Sequence, residues 1–420
     1  MSKDLINKIL ITLGFILLYR VLAYVPVPGV NIDVVKEFFD SNANNALGLV
    51  NMFSGNAIER LSIISLGIMP YITASIIMEL LAATFPALGK MKKERDGMQK
   101  YMQIIRYATI VITIIQAAGV SMGLNSLTGA TGASAISIDM DTFVIVSAIS
   151  MLAGTMMLMW IGEQITQRGI GNGISLIIFA GIVSAIPSAI GGTIDLVNNG
   201  QMNFLVVIGI LVIVLATVGC IIYVELGERR VPVSYSRKVM MQNQKKRVMN
   251  YIPIKVNLSG VIPAIFASAI LMFPATILQG STNPTLLAIS DYLSPGSYTF
   301  NLLMFLFVVF FAYFYASITF NAKDISENLK KQGGFIPGVR PGESTAGFLN
   351  EVAGRLTFWG SMYLGLVSTV PLLLVQAMGV PFYFGGVAVL IVVQVAIDTM
   401  RKIEAQQYMN KYETLSAVGL

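Results

Sequence analysis

Residues 356–397 read LTFWGSMYLGLVSTVPLLLVQAMGVPFYFGGVAVLIVVQVAI, 42 consecutive positions without a charged side chain. A helix needs about 20 apolar residues to cross the hydrocarbon of a bilayer, so this stretch is about two spans long. Pro371, Gly379 and Pro381 interrupt it, and a proline inside a helix removes one hydrogen bond and clashes with the preceding turn. The stretch reads as two membrane-spanning helices broken near those residues.

Working outward, eight more apolar runs precede it, centred on 9–25, 66–86, 107–124, 142–162, 174–190, 203–224, 256–278 and 301–321. Two of them contain a charge, Arg20 in the first and Glu79 in the second. The count predicts ten spans. Composition agrees: of 420 residues, 55% are hydrophobic and 12% charged, against about 25% charged in soluble domains. Mean hydropathy is +0.73. The chain contains no histidine, which removes imidazole acid–base chemistry and histidine metal ligation. A single cysteine, Cys220, lies in an apolar run and reads as a packing residue. Residues 1–8 lack the apolar core and small-residue cleavage site of a secretory signal.

Lysine and arginine set the orientation, because cytoplasmic loops retain them. Connectors 87–106, 163–173, 225–255 and 322–355 hold twenty basic residues, whereas 125–141, 191–202, 279–300 and 371–382 hold none. The second set carries Asp139, Asp141, Asp195 and Asp291 instead. Both termini are therefore expected in the cytoplasm, and the net charge of +6 is expected to face the anionic inner leaflet.

Between the first and second runs, a short apolar stretch around Leu47–Phe53 is followed by Ser54, Gly55 and Asn56. It is too short to span, and reads either as an outer amphipathic loop or as a short helix folded back into the protein. The connector 225–255 concentrates Arg229, Arg230, Arg237, Lys238, Lys245, Lys246 and Arg247. In 322–355, two Pro-Gly pairs bracket Arg340 and are expected to hold it at a loop tip. These charges read either as solvated positive-inside residues or as a docking surface for an acidic or phosphate-rich partner. The cluster Gly169-Ile170-Gly171-Asn172-Gly173 has no preceding strand, so it reads as a tight turn and close helix approach, not a dinucleotide site. No phosphate-binding loop of the G-x-x-x-x-G-K-[ST] type is present. Two classes remain: an ion-coupled transporter, and a passive conduit or insertion scaffold driven by a docked partner. Only Arg20 and Glu79 lie well inside the spans, and that scarcity favours the conduit.

The residues themselves narrow this further. Asn51-Met52-Phe53-Ser54-Gly55, followed by Leu66-Gly67-Ile68-Met69-Pro70-Tyr71-Ile72 and Ala74-Ser75-Ile76-Ile77, resembles the plug and second helix of the SecY family. That family comprises the channel subunits of bacterial protein translocases. Met159 to Thr166 continuing through Arg168 to Ser175, Val261 to Ser268, Asn328 to Lys331 with Gly338 to Glu343, and Val380 to Gly386 resemble later family blocks in order. Glu79 stands where the family pattern suggests an uncharged residue, and the tail after Tyr408 matches least.

The resemblance implies an all-α polytopic fold with ten transmembrane helices in two pseudo-symmetric halves around an hourglass pore. The halves would be 1–192, with a plug helix at about 50–64, and 203–400, joined by an outer connection at 193–202 and followed by a cytoplasmic tail at 401–420. The pore would open across the membrane and sideways between the second and seventh helices. By resemblance, Ile72, Ile76, Ile174, Ile178, Ile265 and Ile391 form a constriction, and Asn51, Met52, Phe53, Ser54 and Gly55 belong to the plug. Spacing supports two of the isoleucine pairs, since residues four apart share a helix face. Arg340, Arg229 and Arg230 are expected to dock the SecA motor ATPase and translating ribosomes. The further implied partners are the SecE and SecG subunits, signal peptides, nascent chains and anionic lipids. No cofactor, metal or catalytic residue is expected, and the implied location is the bacterial plasma membrane.

Overall fold

In lipid, the polar groups of a spanning backbone must bond within their own segment, so uncharged apolar runs fold as helices. The computed structural model describes residues 3–41, 54–124, 135–200, 203–235, 250–279, 292–293, 297–377 and 386–417. Its helices are α1 (Lys3–Leu22), α2 (Ile32–Ser41), α3 (Met69–Thr84), α4 (Pro86–Lys93), α5 (Arg95–Leu124), α6 (Met140–Arg168) and α7 (Gly173–Asn198). They continue as α8 (Phe204–Glu225), α9 (Ile262–Gln279), α10 (Tyr298–Thr319), α11 (Ala322–Lys331), α12 (Glu343–Ala377) and α13 (Gly386–Ala417). A helix lies on each of the ten apolar runs. By length and hydropathy, seven spans qualify on their own, and α3 with α4 makes an eighth if a 116° bend is allowed within one span. The chain therefore crosses a membrane several times.

Prolines set the breaks. Pro86 begins α4, and the residue before it, Phe85, is extended at φ −101°, ψ 111°, as steric clash with a following proline demands. Pro371 behaves differently from the expectation that it would break the final run. It sits inside α12, and the interruption falls after Ala377, where Gly379 and Pro381 lie outside the described residues. A proline leaves the carbonyl four residues back without its partner, here that of Val367. Gly386 at the start of α13 packs directly on the Val367 carbonyl, with no room for a Cβ. The proline fault in α12 is thus also the place where α13 approaches it.

The glycine cluster forms the turn and close approach that its composition suggests. Gly171 adopts φ +96°, Asn172 Oδ1 caps α7 by accepting from Ile174 N at 3.1 Å, and Gly173 rests on the Gly162 carbonyl of α6.

Helices before residue 200 pack as one group: α1 on α6 and α7, α3 on α5, α5 on α6, and α6 on α7. Those after it form a second group: α9 on α10, α10 on α12, and α8, α12 and α13 on one another. The groups meet along two seams, α3 and α5 against α9, and α1 and α7 against α13. One apolar cluster runs through both groups.

The two large basic connectors, read as separate loops, are joined. β1 (Glu228–Tyr235), β2 (Asn250–Lys255) and β3 (Gly334–Phe335) form an antiparallel sheet in the order β2-β1-β3. Beneath it Val231, Ile254, Ile336 and Leu349 make a separate apolar core that includes α11 and the start of α12.

Because an added Cβ at Gly173 meets backbone, Gly173→Ala should destabilise by about 1–3 kcal/mol. Gly192, with nothing within 4 Å of an added Cβ, should tolerate alanine with its stability unchanged or slightly raised. Thermal melts of the two variants in detergent check this contrast, and equal melting temperatures would contradict the packing at α6 and α7.

Candidate functional site

The segment after residue 53 enters the protein. Ser54, Ala57, Leu61, Ser62 and Ile64 are buried, Leu61 in a cluster with Val27, Val34 and Val35 of the preceding connector and Ile64 in the apolar cluster that runs through both helix groups. From Gly55 to Ile68 the backbone is a succession of turns and not a helix, with left-handed φ at Gly55, Asn56, Leu61 and Gly67. Asn51, Met52 and Phe53 lie outside the described residues. Backbone bonds from Val27 N to Leu61 O (2.8 Å) and Ile63 N to Val25 O (2.9 Å) anchor the segment to the chain leaving α1. Gly154 of α6 has no side chain to obstruct the Ile63 carbonyl.

Arg20 is the centre of that anchorage. Its Nη1 donates to the Gly55 carbonyl at 3.0 Å and to Ser184 Oγ of α7 at 2.8 Å. The neighbouring Tyr19 hydroxyl donates to the Ser54 carbonyl at 3.1 Å. Outside α1, the Arg60 guanidinium stacks over the Tyr24 ring at 4.1 Å. Its hydrogen bond, and then its charge, hold the Tyr24 hydroxyl below its ordinary pKa.

The six isoleucines singled out in the sequence sit on four helices: Ile72 and Ile76 on α3, Ile174 and Ile178 on α7, Ile265 on α9 and Ile391 on α13. Those helices carry the two seams. Ile72, Ile76, Ile178 and Ile391 are buried, Ile174 and Ile265 half-buried, and all six belong to the same apolar cluster. Across the seams polar contact is scarce. Among the described residues, a 3.3 Å hydrogen bond from Gln406 Nε2 to Asp4 Oδ2, near the chain ends, is the one that joins the two helix groups. No ion pair between described residues crosses them.

Several charges in or near the spans are partnered. Arg106 of α5 makes a bidentate pair with Glu163 of α6, both Nη2 contacts at 2.8 Å. Glu225 is buried and accepts from Asn257 Nδ2 at 2.6 Å. Glu79 has a single contact with Lys92 Nζ at 3.3 Å.

On the basic side, Arg229, Arg230 and Arg340 are exposed. Arg230 pairs with Glu228 at 2.7 Å and lies over the Tyr251 ring at 4.8 Å. Gly338 (φ +83°) and Gly342 (φ +107°) make the turns on either side of Arg340, and Thr345 Oγ1 fixes its carbonyl at 2.9 Å. Among the described residues no carboxylate pairs with Arg229 or Arg340. Arg237, Lys238, Lys245, Lys246 and Arg247 lie outside them.

A family model for SecY matches residues 62–400. The chain belongs to the SecY family. Protein translocase subunit SecY of Helicobacter pylori (strain ATCC 700392 / 26695) is 72% identical over 420 residues, covering 100% of both chains. That of Escherichia coli (strain K12) is 41% identical over 417 residues, covering 98% of this chain and 94% of its own. A solved structure described as "The structure of a protein conducting channel" aligns with 97% of this chain and 94% of its own, at TM-score 0.67 and 18% identity. "Sec61 in the Canine ribosome-channel complex from the endoplasmic reticulum" aligns at TM-score 0.64 and 18% identity, again over 97% and 94%. At those identities the likeness is one of fold.

Two features of this SecY-family chain escaped the sequence reading. A lone cation in an apolar span marks a functional position, yet the partners of Arg20 come from segments 35 and 164 residues away. The sheet joining the basic connectors had a signal in the alternation of Val231, Val233, Ile252 and Ile254, overlooked behind the prolines and arginines between them.

A hydrogen bond to a charged group contributes about 1.5–3 kcal/mol, so Arg20→Met should free the buried segment to open at least about tenfold more often. With Cys220→Ser and Ser54→Cys in place, a membrane-impermeant maleimide should label Cys at position 54 correspondingly faster. Equal labelling rates with and without Arg20 would contradict the anchorage.

Proposed function

We propose that this chain is the pore-forming subunit of a bacterial protein translocase, a passive conduit for unfolded polypeptide that releases apolar segments sideways into lipid. The seam is the observation that carries this reading. Two groups of helices meet through apolar side chains, with a single hydrogen bond between them among the described residues. Lipid tails are as apolar as leucine, so parting such a seam into lipid forfeits packing but breaks few hydrogen bonds. The moving units would be residues 1–192 and 203–400, ten spans in all, joined through the end of α7 and the residues before α8. The lateral opening would lie between α3 and α9, which touch.

The isoleucines of α3, α7, α9 and α13 are proposed to ring the narrow part of the conduit. β-Branched aliphatic side chains offer no hydrogen bonds, so a narrow gap between them dewets and blocks hydrated ions. The segment held by Arg20, with Asn51 to Gly55 before and within it, is the proposed plug. Partition supplies the force for lateral exit: a leucine at the helix centre contributes about −0.5 kcal/mol, and ten such residues about −5 kcal/mol.

Such a conduit performs no hydrolysis itself. Transport energy would come from a motor ATPase of the SecA type or a translating ribosome, docked on the exposed Arg229, Arg230 and Arg340 of the sheet-and-turn body. SecE and SecG are the proposed companion subunits in the plasma membrane. The basic connectors and both termini would face the cytoplasm and its anionic lipids.

Reconstituted with its companions and motor, the chain should carry a signal-bearing preprotein into proteoliposomes. ATP-dependent protection of preprotein measures this, and uptake of a small solute by the chain alone would overturn it. Ile265→Asn and Ile391→Asn should raise ion conductance and admit preproteins with defective signals, measured in planar bilayers and by transport. Unchanged conductance and stringency would remove these residues from the constriction. Arg340→Glu should abolish motor-driven transport without lowering the melting temperature, since the side chain is exposed. An exposed ion pair is worth less than about 1 kcal/mol, so a complete loss identifies a desolvated contact, and unaltered transport would dismiss it.

A further inference from the structure

Glu79 is a carboxylate within a spanning helix that the conduit alone does not explain. It lies five residues before the end of α3 at Thr84, about 7.5 Å along the axis from the basic side. Its side chain is 22% exposed, and its counterion Lys92, 35% exposed, comes from α4 beyond the 116° bend. α3 is the helix that touches α9 across the seam. α3 also packs on α5, the helix that carries Tyr101. Tyr101 is buried, and its hydroxyl has no hydrogen-bond partner among the described residues.

The two nearby acids are held differently. Glu163 is gripped by both oxygens in a fork from Arg106, a geometry that resists exchange. Glu79 has one contact at 3.3 Å with a flexible, partly solvated lysine, the kind of pair that contributes little and can be replaced by another cation. A cationic ligand arriving at the seam would find an exchangeable carboxylate on α3 and an unused tyrosine hydroxyl on the adjacent α5.

Signal sequences place a basic segment immediately before their apolar core. An apolar core lying along the α3–α9 seam, with its N-terminus on the basic side, puts those lysines or arginines at the level of Glu79. We propose that Glu79 is the receptor for the basic N-terminal segment of a signal sequence, which displaces Lys92 when the signal enters the seam. This rests on the conduit reading and assigns to it a determinant of substrate choice.

The test uses the complete reconstituted translocase and two preproteins that differ only in the segment before the apolar core, one basic and one neutral. The wild-type chain should transport the basic form about fivefold faster, the difference between a close ion pair with Glu79 and its weak 3.3 Å contact with Lys92. In E79Q that ratio should fall below about twofold, and in E79D it should persist. E79K should reverse the preference towards a preprotein with an acidic segment, which a purely structural role for Glu79 would not produce. An undiminished ratio in E79Q, or no reversal in an E79K chain that melts normally, overturns the proposal. Should E79K fail to fold, E79Q and E79D decide it by themselves. If the wild-type chain transports neither preprotein, the conduit reading itself fails.

Discussion

The structure depends on an interface that is nearly free of polar bonds. Within each group of helices, hydrogen bonds and ion pairs tie elements together: Arg20 to Ser184, Arg106 to Glu163, Ser121 to Ser147, Glu225 to Asn257. Between the groups, described residues contribute apolar contact and the peripheral Gln406–Asp4 hydrogen bond. In water such a surface would be held shut by the hydrophobic effect. In a bilayer that driving force is absent, and association rests on packing. The seam can therefore part towards lipid while each group stays intact.

The polar anchors fall on elements that need a fixed position when the seam is closed. Arg20 joins α1, α7 and the turns after Ser54, so these bonds fix the buried segment to the first helix group. The sheet of β1, β2 and β3 does the equivalent outside the membrane helices. It merges two basic connectors, about a hundred residues apart in sequence, into one body with its own apolar core. Arg340 then projects from a turn tied to that body, the place proposed for a docked partner.

Much of this was legible in the sequence because lipid imposes a simple rule. Uncharged runs of about 20 residues marked the helices, and glycines around residue 171 marked the α6–α7 approach. Position along the final run was misjudged at Pro371, because a proline whose freed carbonyl is covered by a neighbouring backbone does not end a helix. The turns from Gly55 to Ile68 were unreadable as such, since asparagine adopts a left-handed conformation readily, as at Asn56, but leucine does not, and that of Leu61 is not a local preference. The isoleucines at the seams could be nominated only by resemblance, since their composition is that of any lipid-facing or core position.

The most direct measurement of the central claim is a pair of spin labels across the seam, one on α3 and one on α9, in a Cys220→Ser background. A second pair on α5 and α6 serves as the internal reference within one helix group. With an apolar signal segment engaged, the α3–α9 distance should lengthen while the α5–α6 distance stays fixed. An α3–α9 distance that stays constant as a signal enters, or that lengthens only together with the α5–α6 pair, would contradict a seam that parts between rigid groups.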